Sequence, residues 1–259
     1  MNHWIPAAPF AAALFVGMLV CLEIGRRLGS RALASTQGKA PPSLGAVEGA
    51  VFGLYALLLA FTFSGAAARF DTRRELIAVE ANAIGTAYLR LDLLPAESQP
   101  PLRDRFRHYV DFRLETPRAI RDLETLNEAI ARTGTLQTEI WAQALAATRL
   151  PAAHPDAAKL LVPALNDMID IVTTRLMAAR SHPPLIIFAL LFVLALLCAL
   201  LAGHGMAGSE HRSWSHITAF AGITVISVYV VLDLEYPRRG LIRLDAYDQV
   251  LVELRQSMK

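Results

Sequence analysis

The chain has 259 residues, 54% of them apolar and only 19% charged, with a mean hydropathy of +0.38. Soluble domains carry about a quarter charged residues, so this balance points to a membrane. A net charge of +2, with no basic run interleaved with aromatics, argues against a nucleic-acid partner.

Four segments meet the length needed to cross ~30 Å of hydrocarbon: Ile5–Ile24, Leu44–Ala68, Pro183–Ala202 and Ser213–Leu232. The first could be mistaken for a signal peptide, because Ala32-Leu33-Ala34 resembles a cleavage site. Its leading residues lack Lys and Arg, however, and Arg26, Arg27 and Arg31 follow as a stop-transfer flank, so a retained transmembrane helix is expected. Cys21 and Cys198 fall inside apolar spans and suggest neither a disulfide framework nor a zinc site.

The second span passes without proline or turn signal into a charged but helix-periodic run, giving one expected helix from Leu44 to Leu94. Turned at ~100° per residue, its membrane half divides into three faces. Gly45, Gly49, Gly53, Ala56, Ala60 and Ser64 form a small-residue ridge suited to helix packing, within a subunit or between subunits. Val47, Val51, Leu54, Leu58 and Phe61 form an aliphatic face. Glu48, Phe52, Tyr55, Leu59 and Thr62 form the third. An ionisable residue inside a span is costly, so Glu48 either reaches the headgroups or pairs with an arginine such as Arg26, or it lies at one end of a water-filled path. In that last case Phe52, Tyr55 and Leu59 would be an apolar constriction that gates by dewetting.

Residues 69–182 are helical in pattern throughout. Pro95 and Pro100-Pro101 close the long helix, along which Phe70, Ile77, Ile84 and Leu91 recur at heptad spacing. Leu102, Phe106, Tyr109 and Val110 give one apolar face; Ile120, Leu123, Leu126 and Ile130 give the next, with Thr116 as N-cap and Pro117 at the first helical position. Gly134 interrupts, and Leu136, Ile140 and Ala144 continue to a turn at Pro151 and Pro155. Leu161, Leu165, Met168, Val172 and Leu176 form a 3.6-period stripe leading to the third span. The fold class expected is therefore all-α: four transmembrane helices (1–68 and 183–234), an extramembrane helical bundle (69–182) inserted between the second and third, and a C-terminal turn and short helix (235–259). Four spans put both termini and the bundle on one side, taken as cytoplasmic from the total of flanking arginines.

Other polar residues are sparser. Asn166, Asp167, Asp170, Thr173 and Thr174 are expected to hydrogen-bond inside the bundle, where Glu80 and Asn82 could meet them. Asp233 and Glu235, beside Arg238 and Arg239, suggest an ion-pair cluster at the membrane surface or, equally, contacts with headgroups. His204, His211 and His216 do not share a helical face, so no metal site is expected, and no cofactor is implied. Nucleophile, phosphate-loop and zinc-protease motifs are absent from the sequence, which argues against an enzyme.

Three segments, RFDTRRELIAVEANAIGTAYLRLDLLP (69–95), ALNDMIDIVTTR with the following HPP (164–184) and VLDLEYPRRGLIRLDAYDQVLVELRQSM (231–258), resemble a bacterial membrane family labelled bestrophin-like. The resemblance covers nearly the whole chain. By topology it extends to the bestrophins, pentameric anion channels with four spans whose second span lines the pore through an apolar neck. It implies a homo-oligomeric, pentameric ion channel of the bacterial inner membrane, with Phe52, Tyr55 and Leu59 as the neck. Animal bestrophins bind calcium through a dense acidic run after the fourth span. Here that stretch offers only Asp233 and Glu235 among arginines, so calcium gating is not implied. An ionised Glu48 would also disfavour anions. The alternative is a non-conducting scaffold or sensor whose helical domain binds a partner.

Overall fold

The structure is a computed structural model that describes residues 7–35, 45–119, 123–208, 214–237 and 240–258. Among these there is no strand. The helices are α1 (Ala7–Ser35), α2 (Gly45–Leu89), α3 (Gln99–Ala119), α4 (Leu123–Thr148), α5 (Ala157–Arg180), α6 (Leu185–Gly205), α7 (Trp214–Glu235) and α8 (Gln249–Ser257). Four of them, namely α1, α2, α6 and α7, carry the stretches long and apolar enough to cross a membrane.

Helix boundaries follow local chemistry. α2 contains no proline and runs unbroken for 45 residues, roughly 68 Å at 1.5 Å per residue. It tightens into a 3-10 turn at Arg90–Leu93 and stops where Leu94 turns extended, as a residue preceding a proline should. Pro183 and Pro184 separate α5 from α6, with Ser181 extended and Pro184 at φ −55° and ψ 140°.

The chain divides into two compact units, Met1–Phe70 with His182–Arg243, and Asp71–Ser181 with Leu244–Lys259. In the first, Leu14, Met18 and Leu22 of α1 share a core with Leu191, Ala195 and Cys198 of α6 and Ala221 and Val228 of α7. Helices α1 and α6 meet backbone to backbone, because glycines stand at the crossing. A Cβ on Gly203 would fall 2.1 Å from the Leu22 carbonyl oxygen, and one on Gly25 would fall 1.9 Å from that of Leu200. This is small-residue packing as expected for membrane helices, but on α1 and α6, where the sequence reading did not place it.

In the second unit Ile77, Ile84 and Leu91 of α2 are buried together with Leu102, Phe106, Tyr109 and Val110, Leu136, Ile140 and Ala144, and Leu161, Leu165 and Met168. Each of these faces follows the expected periodicity. Three local expectations fail. α3 runs on to Ala119, so Thr116 caps nothing; its hydroxyl returns to the Phe112 carbonyl at 2.7 Å. α4 passes straight through Gly134, which is exposed and costs a helix about 1 kcal/mol without breaking it. Leu126 is only half-buried and Ile130 is exposed, so α4 turns its Leu136 face, not that one, to the core. Ile120 lies outside the described residues.

Candidate functional site

The membrane half of α2 belongs to the first unit and is its least covered span: 11% of its most apolar window is buried, against 44% for α7. What is covered is the third face. Tyr55 is 8% exposed in the core, and Phe52 and Leu59 are half-buried against it. Phe52 meets Phe220 of α7 edge to face at 6.3 Å. Thr62 spends its hydroxyl on the carbonyls of Leu58 and Leu59, both at 2.9 Å. Glu48 is half-exposed. Arg26, one expected partner for it, is bound instead to Glu23 at 3.0 Å, and Glu23 also holds Arg27 at 2.8 Å. Phe52, Tyr55 and Leu59, expected to form the constriction of a water-filled path, are thus packed on the chain's own core.

The opposite side is open. Nothing lies within 4 Å of a Cβ built on Gly45, Gly49 or Gly53, and Ala56, Ala60 and Ser64 are exposed. Val47, Leu54, Leu57 and Phe61 are exposed beside them. Among the described residues, therefore, no helix lies on the ridge that suits helix packing.

At the end of α7, beside the start of α6 and the midpoint of α2, Glu235 is wholly buried and ties all three. Arg69 of α2 donates from Nε at 2.9 Å and approaches with its terminal nitrogen to 2.8 Å. His182, just before α6, bonds through Nδ1 at 2.8 Å and stacks on Tyr236 at 4.8 Å. A carboxylate shut off from solvent is costly unless it is paired and hydrogen-bonded, and Arg69 supplies the opposite charge. Asp233, two residues back, is also buried, and its Oδ2 accepts the backbone N–H groups of Leu241 and Ile242 at 3.0 and 2.9 Å. Glycine is required at 240, since a Cβ there would sit 1.2 Å from Asp233 Oδ1. Arg238 and Arg239 lie outside the described residues. His182 and Arg69 escaped the sequence reading, although a histidine before a proline pair and an arginine ending an apolar span mark the same boundary as Glu235.

The second unit has its own buried carboxylate. Glu80 accepts from Arg113 Nε at 2.6 Å and pairs through its other oxygen with Arg175. Burial pushes the Arg113 guanidinium below its ordinary range, while Tyr109 and Asp248 pull it back. Glu80 is buried on these arginines, whereas Asn82 and the polar residues both were expected to meet, Asn166, Asp167, Asp170, Thr173 and Thr174, are exposed. The signal for the real partners was present, because Glu80, Arg113 and Arg175 each interrupt an apolar helical stripe. Arg73 is buried and caps α5, donating to the carbonyls of Ala178 at 3.1 Å and Ser181 at 2.8 Å. No group of three or more His, Cys, Asp or Glu side chains that could hold a metal exists among the described residues.

The sequence signature of the Bestrophin-like domain matches residues 12–246. No curated protein matches the chain. Among solved structures, a mutant bacterial bestrophin homologue from Klebsiella pneumoniae is similar in fold, with 15% identity, a TM-score of 0.67, and coverage of 95% of this chain and 100% of that one. A mutant described as a membrane protein matches with 14% identity and a TM-score of 0.66 over 94% of this chain and 98% of that one.

Proposed function

Since the chain belongs to the Bestrophin-like family, we propose that it is the subunit of a homo-oligomeric ion channel of the bacterial inner membrane, with α2 lining the pore. The observation that carries this is the open face of α2. A membrane helix anchored by one side and uncovered along the rest asks for protein, lipid or water there, and glycines facing lipid would leave the backbone poorly packed.

On a helical wheel at ~100° per residue, Gly53, Leu57, Ala60 and Ser64 lie opposite the anchored Tyr55 face. Gly45, Gly49 and Ala56 flank them on one side and Val47, Leu54 and Phe61 on the other. The two flanks differ, so contact between copies is head-to-tail, the arrangement that closes into a ring. The small flank of one copy receives the aliphatic flank of the next, and the face between them looks to the axis. Leu57 is then the apolar constriction and Ser64 the polar residue two turns along. By analogy with the bestrophins the ring is a pentamer passing anions. Residues 69–182 form a helical bundle inserted outside the bilayer, on the cytoplasmic side together with both termini.

Flux into liposomes tests this reading. Wild type passes ions, and Leu57→Ala raises flux several-fold by widening and wetting the constriction. Leu59→Ala, on the packed face, lowers thermal stability without raising flux. Flat traces from wild type and Leu57→Ala, with insertion confirmed, would contradict a channel and leave the spans as anchors for a scaffold or sensor.

A further inference from the structure

The Tyr55 hydroxyl is buried inside the first unit with no hydrogen-bond partner among the described residues. Other hydroxyls in the spans solve this locally: Thr62, Thr218 and Ser227 each return their hydrogen to a carbonyl one turn back, at 2.8–2.9 Å. A tyrosine cannot do so, because its ring carries the oxygen well away from its own helix. In hydrocarbon no bulk solvent can relax the deficit, and a polar group left bare there costs several kcal/mol. Moreover, the oxygen is enclosed by the chain itself, so neither a lipid nor a neighbouring copy reaches it.

We propose that Tyr55 donates to a single water molecule enclosed between α2, α6 and α7. The banks of the site are set by Phe220 of α7, against Phe52 one turn away on α2, and by Cys198 of α6, which is buried in the same core cluster as Tyr55. Charge decides the nature of the guest. A monovalent anion would accept the same hydrogen bond, but an uncompensated charge in an apolar core is far costlier than a neutral guest. Arg69 is 14 residues further along the helix, ~21 Å at 1.5 Å per residue, and is committed to Glu235. Water is neutral, small, and able to accept from the phenol while donating onward to α6 or α7. Because α2 is otherwise held thinly, this bridge fixes its rotation, and hence which face it leaves open. That last role rests on the channel reading; the binding of water does not.

The test uses the full chain in nanodiscs and reads the tyrosine hydroxyl directly. The ultraviolet resonance Raman difference between wild type and Tyr55→Phe should show a hydrogen-bond-donating phenol. The variant, which loses one atom and keeps the ring, should unfold about 2–4 °C lower. A difference spectrum of a non-bonded phenol, with Tyr55→Phe equally or more stable, would overturn the proposal. Exchanging chloride for iodide or gluconate should leave the Tyr55 signal unchanged. A shift on exchange would show an anion at the site and overturn the assignment of water. Neither readout requires ion flux, so a non-conducting protein leaves this test intact.

Discussion

Glu235 shows how much one buried carboxylate can organise. It joins three spans through Arg69 and His182 at 2.8 Å each, and removing its charge leaves a half-buried arginine without its counter-ion. Glu235→Gln should therefore cost about 2–4 kcal/mol, read as a fall in the thermal midpoint in detergent, with amide hydrogens around Arg69 of α2 and at the end of α7 exchanging faster. An unchanged midpoint would mean that the cluster is ornamental. In the second unit, burial raises the Tyr109 hydroxyl above its ordinary 10.0, against the opposing pull of Arg113 and of the Gln137 hydrogen bond at 3.2 Å. The native state then holds this proton more tightly than the unfolded state. Its contribution is complete below pH 10 and declines as pH rises beyond it. Tyr109→Phe should flatten that alkaline limb in a pH series of unfolding midpoints, while an unchanged limb would assign it to other groups. At this scale the sequence was only partly readable. Asp233 and Glu235 stood out as acids beside a span, but their partners did not. A carboxylate's partner is chosen by which helices pack, and neither His182 nor the backbone of Leu241 is near it in sequence. Glu80 was readable in principle, since charges that break an apolar stripe at helical spacing must meet inside.

Among the elements, periodicity did most of the work. The stripes of α3 and α5, and the Ile77, Ile84 and Leu91 positions of α2, are buried as their spacing predicts, and proline set the breaks at residues 95 and 183–184. Glycine misled. Gly134 sits in an unbroken helix, while Gly25 and Gly203, which spacing did not single out, carry the close packing of α1 on α6. Spacing identifies small faces but not the helix that meets them. Gly203→Val should destabilise the chain by at least 1–3 kcal/mol, because the atoms it would strike are backbone atoms of α1 and cannot swing aside. Loss of monodisperse protein in detergent, set against an unperturbed Gly205→Val, whose Cβ meets nothing within 4 Å, is the expected result. Equal behaviour of the two would contradict the tight crossing. The wheel divides α2 into sectors, yet which sector turns inward depends on the helices that pack on it: Phe52, Tyr55 and Leu59 meet the core together with Val51 and Leu58 of the aliphatic face.

For the whole molecule, the all-helical fold and the Bestrophin-like family are evident from the chain alone, and the family accounts for nearly all of it. Among the described residues nothing covers the Gly45, Gly49 and Gly53 side of α2. The channel reading supplies that cover with neighbouring copies on two flanks and water on the face between. The account stands on that arrangement more than on any single residue. Cryo-electron microscopy of the full chain in nanodiscs tests it most directly. The expected result is a closed ring of identical copies with α2 at the axis, Gly53, Leu57 and Ser64 facing it, and Tyr55 turned away. A monomer or dimer without an axial path, or a ring with the Tyr55 face on the axis, would contradict it.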